Sequence, residues 1–393
     1  MSEVGALVVG GDYQGLGIVR SLGRAGIPTC VLDDEPSIAR YSRYASMAVR
    51  VADLRDEAAT VEAALAAAEG SGLRGWVVYP TRDEVVTAFS RARDRLKEVF
   101  RVPTPGWETV RYAIDKRLTN TLAERVGVPT PRTWYPETEE ALDRIETDSW
   151  PLLVKPAIKQ RFIYTTRVKG WVVHDRAELR ARFLDAAAVV GPGEVMVQDM
   201  IPGNGRTQYA YCAFFKDGLA IGRMVVRRRR QRPADIGRSS TYVETVDVPE
   251  LIETSERLLR ELGYYGLVEL EYKFDTRDGT FKLLDINART WGYHSIGPPA
   301  GVDFPLLLFR DQLGLEVSVV EARSGVTWMR VLTDTPTALA DVVHGRLGFR
   351  EYLRSVREVA TEAAFSREDP RPGWAEVALL PHLIRTRAAI GRH

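Results

Sequence analysis

The chain has 393 residues, of which 45% are hydrophobic and 27% are charged, and its formal net charge at pH 7 is only +1. This balance excludes a disordered or fibrous chain, and it excludes the overall basic field typical of nucleic-acid-binding proteins. The sequence has two cysteines without zinc-ligand spacing, no basic leader and no apolar run of membrane-spanning length. We therefore expect a soluble cytoplasmic protein with no nucleic-acid partner and no integral membrane association.

Short apolar runs alternate with helical patterns over the first hundred residues. The predicted strands are 6–9, 28–32 and 76–79, and the predicted helices are 16–25, 56–68 and 83–97. This alternation favours a parallel, doubly wound sheet of Rossmann type. The glycines that follow the first strand fit either a tight turn or an anion-binding helix start; they are Gly10, Gly11, Gly15 and Gly17.

Asp83 and Glu84 follow the third predicted strand, at the edge where open parallel sheets bind ligands. The same two carboxylates also suit the N-terminus of the helix that begins there. Both interpretations stay open at the level of the sequence.

A Pro- and Gly-rich segment at 102–106 marks a boundary, after which the pattern changes. A helix is predicted over 114–126. The strands predicted beyond it are 152–155, 168–173, 195–198, 209–215, 219–226, 267–274 and 281–286, and the helices are 178–189 and 250–262. Turn residues at 216–218 and 278–279 favour antiparallel hairpins. The sequence thus predicts an α/β domain followed by an α+β region with two sheets.

The most informative motif lies late in the chain, in residues 266–271 and 283–289. Because residues two apart on a strand share a face, Asp285, Asn287 and Arg289 point the same way, and Glu271 on the preceding strand can lie opposite them. Two carboxylates and an amide oxygen suit Mg²⁺ and the nucleotide phosphates that it holds. Arg289 would offer a cation to a developing phosphate or oxyanion. A solvent-facing polar stripe on an antiparallel sheet is the alternative.

Three further segments accompany this motif in order: Lys116 at a helix start, Val154-Lys155-Pro156 at a strand end, and residues 197–203 leaving a strand into a turn. With them the chain resembles the ATP-grasp superfamily from about residue 4 to residue 314. The resemblance is strongest to the uncharacterised bacterial carboxylate–amine ligase-like group, which combines KPA, an aromatic and lysine-bearing segment, and INAR-x-WG.

The resemblance implies a Rossmann-like pre-ATP-grasp domain followed by a two-lobed ATP-grasp fold with nucleotide between two sheets. The implied boundaries are 1–112 for the first domain, 113–197 for the lid subdomain, 198–320 for the large subdomain and 321–393 for a C-terminal extension. It also implies an ADP-forming carboxylate–amine ligase that uses ATP and Mg²⁺ and joins small, amino-acid-like substrates through an acyl phosphate. Such folds often form homodimers, but the sequence does not give the oligomeric state.

Carried over by motif position, the resemblance assigns roles to individual residues. Lys155 and Arg289 would be catalytic, and Glu271, Asp285 and Asn287 would bind Mg²⁺. The residues implied in ATP binding are Lys116, Lys155, Lys159, Lys169, Gln198, Asp199, Ile201 and Gln208. The segment 157–169 lacks the glycines of the usual phosphate loop, so its basic side chains would replace backbone amides. Asp199 and Gln208 are alternative contacts for the ribose.

The basic run 227–232 follows a predicted strand, and alternation places Arg228 and Arg230 on one face. We expect that face to clamp an anionic substrate group; a nucleic-acid patch and a solvated strand edge are the alternatives. His294 is a third substrate candidate because it follows the metal motif closely, with a structural histidine as the alternative. The C-terminal segment is expected to pack back on the body, because Pro381 interrupts a long amphipathic helix; contact with a membrane surface or a partner is the alternative.

Two other functions fit the same motifs. One is an ATP-grasp enzyme that uses a thiol or bicarbonate instead of an amine, which would turn over ATP without forming an amide. The other is an ATP-binding regulatory protein without catalysis, which would bind ATP and turn over nothing.

Overall fold

The computed structural model describes residues 4–147, 149–203, 205–232 and 239–389. The first strands are β1 (Ala6–Val9), β2 (Thr29–Asp33), β3 (Met47–Arg50) and β4 (Val77–Pro80), and the first helices are α1 (Tyr13–Arg24), α2 (Glu57–Ser71), α3 (Asp83–Arg91) and α4 (Arg93–Lys97). The strands form a parallel sheet in the order β3-β2-β1-β4. This is the predicted doubly wound sheet with one added edge strand, β3, which is half exposed and lacks a strong apolar run.

Both faces of this sheet are covered, which explains why β1 and β4 are buried along their whole length. Leu7 and Val9 pack toward α2 and α3 in one apolar cluster. Ala6 and Val8 belong to another, which contains α1 and reaches Trp291 in the second half of the chain. A continuous core therefore joins the N-terminal sheet to the region that carries the metal motif.

A second, antiparallel sheet, called here the lid sheet, follows. Its strands are β5 (Thr133–Trp134), β6 (Leu152–Pro156), β7 (Trp171–Val173) and β8 (Val195–Asp199), in the order β5-β8-β6-β7. The helices of this region are α5 (Trp107–Ile114), α6 (Lys116–Arg125), α7 (Lys159–Thr166) and α8 (Arg176–Val190). The helix predicted over 114–126 begins only at Lys116, because Asp115 is extended and its carboxylate caps the backbone N–H of Arg117. The strand predicted over 168–173 is shorter, since the lid helix α7 and the turn after it occupy the residues before Trp171.

The third sheet, called the large sheet, is mainly antiparallel. Its strands are β9 (Gln208–Lys216), β10 (Leu219–Arg232), β11 (Ser239–Val246), β12 (Gly266–Asp275), β13 (Thr280–Asn287), β14 (Val320–Glu321), β15 (Thr327–Met329) and β16 (Thr361–Glu362). The helices of this region are α9 (Pro249–Glu261), α10 (Gly297–Ala300) and α11 (Phe304–Gln312). The strand order is β13-β12-β9-β10-β11-β15-β16, and β14 pairs with β10. Asp217 and Gly218 join β9 to β10 with φ of 51° and 78°, the backbone that a two-residue hairpin turn of type I′ requires.

The C-terminal region continues the large sheet. The strands β15 and β16 pair beside β11, so the boundary expected between residues 320 and 321 crosses this sheet; the domain boundaries themselves stay predictions. Three helices complete the described chain: α12 (Val331–Val343), α13 (Phe349–Arg357) and α14 (Arg371–Ala389).

The C-terminal segment packs back on the body as far as its side chains are described. Asp369, just before α14, forms a buried ion pair of 3.0 Å with Arg20 of α1, and Glu376 pairs with Arg330 at 2.5 Å. Contrary to expectation, the helix continues through Pro381 to Ala389. The predicted C-terminal unit ends in residues 390–393, which lie outside the described residues. Within the described helices, none combines the length and apolar character needed to cross a membrane.

Candidate active site

A cleft enclosing about 960 Å³, including space open to solvent, lies between the lid sheet and the large sheet. Its walls contain the strand-end segments that the motifs identify. The lining residues that were predicted to bind ATP or metal are Lys116, Lys155, Lys159, Lys169, Gln198, Asp199, Ile201, Gln208, Glu271 and Asp285. The lid sheet thus supplies one wall and the metal motif the other.

Lys155 and Gln198 form the lid wall of the cleft. They lie on the adjacent antiparallel strands β6 and β8, and Lys155 Nζ donates to Gln198 Oε1 at 2.7 Å. Gln198 Nε2 in turn donates to Thr133 Oγ1 at 2.8 Å, which fixes the direction of the amide. Burial, together with the nearby charges of Lys116 and Lys169, lowers the pKa of Lys155 to about 7, and the attraction of Asp285 offsets only part of this shift. Near neutral pH this side chain therefore holds a proton only part of the time.

This shift predicts a pH dependence of ATP binding. Below about pH 7 the Lys155 ammonium is charged and attracts a phosphate, whereas above it the neutral amine does not. We expect the Kd for ATP, measured by calorimetry at constant ionic strength, to rise by about tenfold between pH 6.5 and pH 8.5. In Lys155→Gln the rise should be largely absent, because that variant has no proton to lose. An unchanged pH profile in this variant would contradict the assignment.

The turn after β8 forms the inner end of the cleft. Asp199, Met200 and Ile201 line it, and Gln208 of β9 faces them. Lys273 of β12 donates to the carbonyl oxygen of Gly203 at 2.9 Å and so ties the turn to the large sheet. Burial raises the pKa of Asp199, and its Oδ1 accepts no hydrogen bond from the described residues. A buried acceptor of this kind suits a polar group of a ligand.

The metal motif lies on two adjacent strands in direct register. Glu269 of β12 stands opposite Asn287 of β13, and Glu271 stands opposite Asp285. The side-chain amide Nδ2 of Asn287 donates to Glu269 at 3.0 Å and to Glu271 at 3.1 Å. These bonds turn Oδ1 of Asn287 the other way, toward Lys159 Nζ at 3.5 Å. The sheet therefore presents an amide oxygen beside the carboxylate of Asp285.

Lysine side chains approach the carboxylate of Asp285 from two elements. Lys116 Nζ at the start of α6 is 2.6 Å from Oδ1, and Lys159 Nζ of the lid helix is 3.5 Å from Oδ2. A backbone hydrogen bond from Lys116 N to the carbonyl oxygen of Ala157 holds α6 against the lid segment. Burial raises the pKa of Asp285, but the two ammonium groups outweigh it and hold the pKa well below its usual range. Asp285 is therefore ionised and ready to bind a cation.

Arg289 follows β13 and reaches across to the N-terminal sheet. Its Nε donates to Asp83 Oδ1 at 2.6 Å, and its Nη2 lies 3.5 Å from Asn287 Oδ1. Asp83 thus belongs to the site. From the sequence it could have been either a residue of the ligand-binding edge or a helix-start residue. The side chains of Arg289 and Asp83 are only 16% and 15% exposed, so this pair is largely shielded from solvent.

Arg228 is the basic residue of β10 that reaches the site. Its Nη2 is 2.8 Å from Glu271 Oε2, and the side chain is only 5% exposed. The Nε and Nη1 atoms are buried and have no hydrogen-bond partner among the described residues. Two buried donors of Arg228 are therefore left without an acceptor among the described residues.

Arg230, expected to share the anion clamp, is not brought to the site. A bulge between Arg228 and Arg230 changes the register of β10, and Arg230 makes two 2.8 Å contacts with the carboxylate of Asp334 in α12. It also donates to Ser355 Oγ at 3.0 Å and lies over the ring of Tyr242. The anion that Arg230 binds is thus a carboxylate of the protein itself. Through these contacts Arg230 holds the C-terminal helices to the large sheet.

His294 is likewise structural in its contacts. Its ring is buried, and Nε2 lies 2.9 Å from the carbonyl oxygen of Gln14 in α1. Burial lowers the pKa of His294 to about 4, so the ring is neutral. A Cβ on Gly17 would lie 2.5 Å from His294 Nε2, so this glycine permits close packing, a reason that the sequence alone did not suggest.

We expect His294→Asn to lower the free energy of unfolding by about 1–3 kcal/mol, because it removes buried packing and a hydrogen bond. Urea unfolding measures this loss. Turnover of the folded variant should stay within about twofold of the parent, since the ring contacts α1 and not the cleft. A large loss of turnover at unchanged stability would show instead that His294 belongs to the substrate site.

Sequence reasoning missed two residues that hold side chains of the site in place, Glu269 and Thr133. Glu269 accepts from Asn287 and from Tyr293 Oη, and burial together with the charge of Glu271 raises its pKa to about 7. Its position two residues before Glu271 on the same strand is the signal that would have found it. Thr133 gives no such signal, because only the pairing of β5 with β8 brings it to Gln198.

The expected metal ligands fit Mg²⁺ by their chemistry. No group of three or more His, Cys, Asp or Glu side chains in the described ranges has a metal-binding arrangement. Mg²⁺, however, is usually bound by one or two carboxylates together with water and substrate phosphates. Asp285, Glu271 and the outward-turned Oδ1 of Asn287 supply hard oxygen donors of this kind.

Comparisons with known proteins agree with this architecture. The family model described as ATP-grasp in the biosynthetic pathway with Ter operon matches residues 212–334. D-aspartate ligase of Enterococcus faecium (strain Aus0004) is 22% identical over 301 residues, which cover 72% of this chain and 70% of that protein.

Two solved structures extend the comparison. L-amino acid ligase from Bacillus licheniformis matches with a TM-score of 0.59 at 17% identity, over 79% of this chain and 74% of that one. The biotin carboxylase domain of Hydrogenobacter thermophilus 2-oxoglutarate carboxylase, in complex with MgADP, ADP and bicarbonate, matches with a TM-score of 0.66 at 16% identity, over 83% and 74%. The fold is thus the ATP-grasp fold. The chain is similar to a D-aspartate ligase and an L-amino acid ligase, in agreement with the resemblance that the motifs predicted.

Proposed function

We propose that this protein is an ATP- and Mg²⁺-dependent carboxylate–amine ligase that forms an amide or peptide bond and releases ADP and phosphate. The observation that carries the proposal is the cleft itself, whose lining includes five lysines together with Glu271 and Asp285, which stand in direct register on β12 and β13. The amide oxygen of Asn287 lies 3.5 Å from one of these lysines, Lys159. Phosphoryl transfer depends chiefly on positioning and on charge neutralisation, and this arrangement supplies both. The similarity to D-aspartate ligase supports an amino acid among the substrates.

In this proposal the lid wall and the inner turn bind ATP. The side chains that would contact phosphates are Lys116, Lys155, Lys159 and Lys169. The adenine would lie at Gln198, Asp199 and Ile201, with Asp199 Oδ1 as a buried acceptor and Gln208 facing it. The lid carries lysines on and beside a helix where related folds have a glycine-rich loop, so side chains would take the role of backbone amides.

Glu271, Asp285 and Asn287 would hold Mg²⁺, which neutralises and orients nucleotide phosphates when it is bound. Asn287 is prepared for this role because Glu269 and Glu271 fix its amide with Oδ1 outward. Lys116 would balance the remaining charge of Asp285 from the other side.

The proposed reaction has two steps. A substrate carboxylate oxygen accepts the γ-phosphoryl group, which gives an acyl phosphate and ADP. The amine nitrogen then attacks the carbonyl carbon and loses a proton, and phosphate leaves with one of the former carboxylate oxygens. Arg289 would stabilise the negative charge on the acyl phosphate and on the tetrahedral species, and Arg228 would hold the substrate carboxylate with its buried Nε and Nη1.

ADP release with paired substrate pools tests this function. The purified protein is incubated with Mg-ATP and an amino-acid pool, a small-carboxylate pool, both pools or neither. We expect ADP release with the productive pool to exceed the background by more than about tenfold. ADP release that depends on bicarbonate or a thiol would favour the non-amine alternative. ATP binding without ADP release in any mixture would favour a regulatory protein.

A further inference from the structure

The lid helix α7 is attached to the N-terminal sheet by contacts that the ATP-grasp motifs do not explain. Lys159 Nζ lies 2.9 Å from Asp83 Oδ2, and Tyr164 Oη donates to Glu84 Oε1. The guanidinium of Arg55 lies over the ring of Tyr164, 5.0 Å from its centre. All three partners of the lid helix belong to the N-terminal sheet domain, and two of them, Asp83 and Glu84, are the first residues of α3.

Asp83 bonds to two other parts of the molecule at once. Its Oδ2 faces Lys159 of the lid helix, and its Oδ1 accepts from Arg289 after β13. Burial raises the pKa of Asp83, but Arg289 and Lys159 outweigh it and hold the pKa well below its usual range. The carboxylate therefore stays charged and attracts both cations throughout the neutral pH range.

We propose that Asp83 is a positioning residue that ties the lid helix and Arg289 together, and that Glu84 strengthens this latch through Tyr164. The role of Arg289 in this inference rests on the proposed function; the closure of the lid does not. Opening of α7 must break the contacts at Asp83 and Glu84, and it takes the Lys159 ammonium away from Asp285 and Asn287. Access to the proposed metal ligands is thereby coupled to the side chain that orients Arg289.

Two features of the sequence explain why α3 can perform this role. Asp83 and Glu84 stand in the first turn of α3, where the helix dipole favours carboxylates. β4 ends at Pro80 and α3 begins three residues later at Asp83, so the helix start carries the carboxylates that contact the lid helix. The other interpretation of these residues, that they suit the N-terminus of the helix, is compatible with the latch. Both roles use the same two side chains.

Limited proteolysis reports the latch without any substrate. Arg161 and Arg167 are exposed residues within and just after the lid helix, and both become better trypsin sites when the helix leaves its place. When opening is fast relative to cleavage, the cleavage rate follows the open population. We expect Asp83→Asn, Glu84→Gln and Tyr164→Phe each to increase cleavage between residues 158 and 170, by about tenfold for Asp83→Asn.

Glu57→Gln is the matched control, since Glu57 forms an exposed ion pair of 2.9 Å with Arg91 within the same domain. Its lid cleavage should equal that of the parent. Thermal melting separates local opening from global unfolding, and Glu84→Gln with Tyr164→Phe keep the test open if Asp83→Asn does not fold. Lid cleavage within twofold of the control in the folded variants would overturn the latch.

Turnover provides the second readout, for the positioning of Arg289. Asp83→Asn should lower kcat by about 10- to 100-fold while KM for ATP changes by less than about threefold, and Asp83→Glu should recover part of kcat. An equal loss in Asp83→Asn and Asp83→Glu, or a loss confined to KM, would contradict the positioning role. If no turnover is found in the parent, the proposed function fails and the cleavage assay still decides the latch. If the parent turns over and the variants show no increase in cleavage, the latch fails alone.

Discussion

Asp285→Ala is expected to lower ADP formation by at least about 10³-fold, because it removes the central oxygen ligand proposed for Mg²⁺. The carboxylate also balances Lys116 at 2.6 Å and Lys159 at 3.5 Å, so the variant leaves two largely buried ammonium groups without their shared partner. We therefore expect a parallel loss of stability of about 3–5 kcal/mol from the broken ion pairs. ADP release by the purified variant, with circular dichroism to confirm folding, measures the first effect.

Asp278→Ala serves as the control for Asp285→Ala. Asp278 lies in the turn before β13 and pairs with Lys282, but its side chain is 46% exposed and lies outside the cleft lining. Its ADP formation should be close to that of the parent. Retention of ADP formation in the double variant Asp285→Ala, Asn287→Ala would show that the metal site is misassigned.

Arg289→Met is the substitution with the second largest expected effect. It should lower kcat by about 10²–10³-fold, as removal of a donor to a developing oxyanion commonly does, with the Kd for ATP changed less than about threefold. The effect falls on kcat because Arg289 is the group proposed to stabilise the acyl phosphate and the tetrahedral species, whereas the lysines would hold the ATP phosphates. Stopped assays of ADP release and calorimetric titration with ATP separate the two quantities.

Arg289→Lys should recover only part of kcat, because an ammonium cannot reproduce the planar donor pattern of the guanidinium. Arg310→Met is the matched control, since Arg310 is exposed on α11 and donates to the backbone oxygen of Glu316. If Arg289→Met weakens ATP binding and leaves kcat unchanged, Arg289 is a nucleotide contact and not a catalytic group.

The sequence predicts the fold and the cleft well where a strand pattern coincides with a motif. Alternation along β12 and β13 places Glu271 opposite Asp285, and the strand β6 carries Lys155 to the lid wall, as the spacing indicates. These positions depend only on local periodicity and on pairing between neighbouring strands, which residue patterns encode directly.

The contacts that were not predicted are long-range or depend on irregular backbone. Arg230 pairs with Asp334 of α12, 104 residues further along the chain, and nothing in the basic run announces that contact. Asp83 meets Arg289 although 206 residues separate them, because the cores of the N-terminal and large sheets are continuous. Lid helix α7 forms in the segment that lacks the glycines of the usual phosphate loop, and its contacts with α3 arise only from the docking of two domains.

Mass spectrometry of a turnover mixture containing Mg-ATP, amines and ¹⁸O-labelled carboxylates tests the central claim most directly. We expect ADP, a condensed product lighter than the sum of its acid and amine by one water, and inorganic phosphate that carries one labelled oxygen from the carboxylate. Formation of AMP with labelled oxygen in the AMP phosphate would show adenylation of the acid and contradict the acyl-phosphate ligase proposed here.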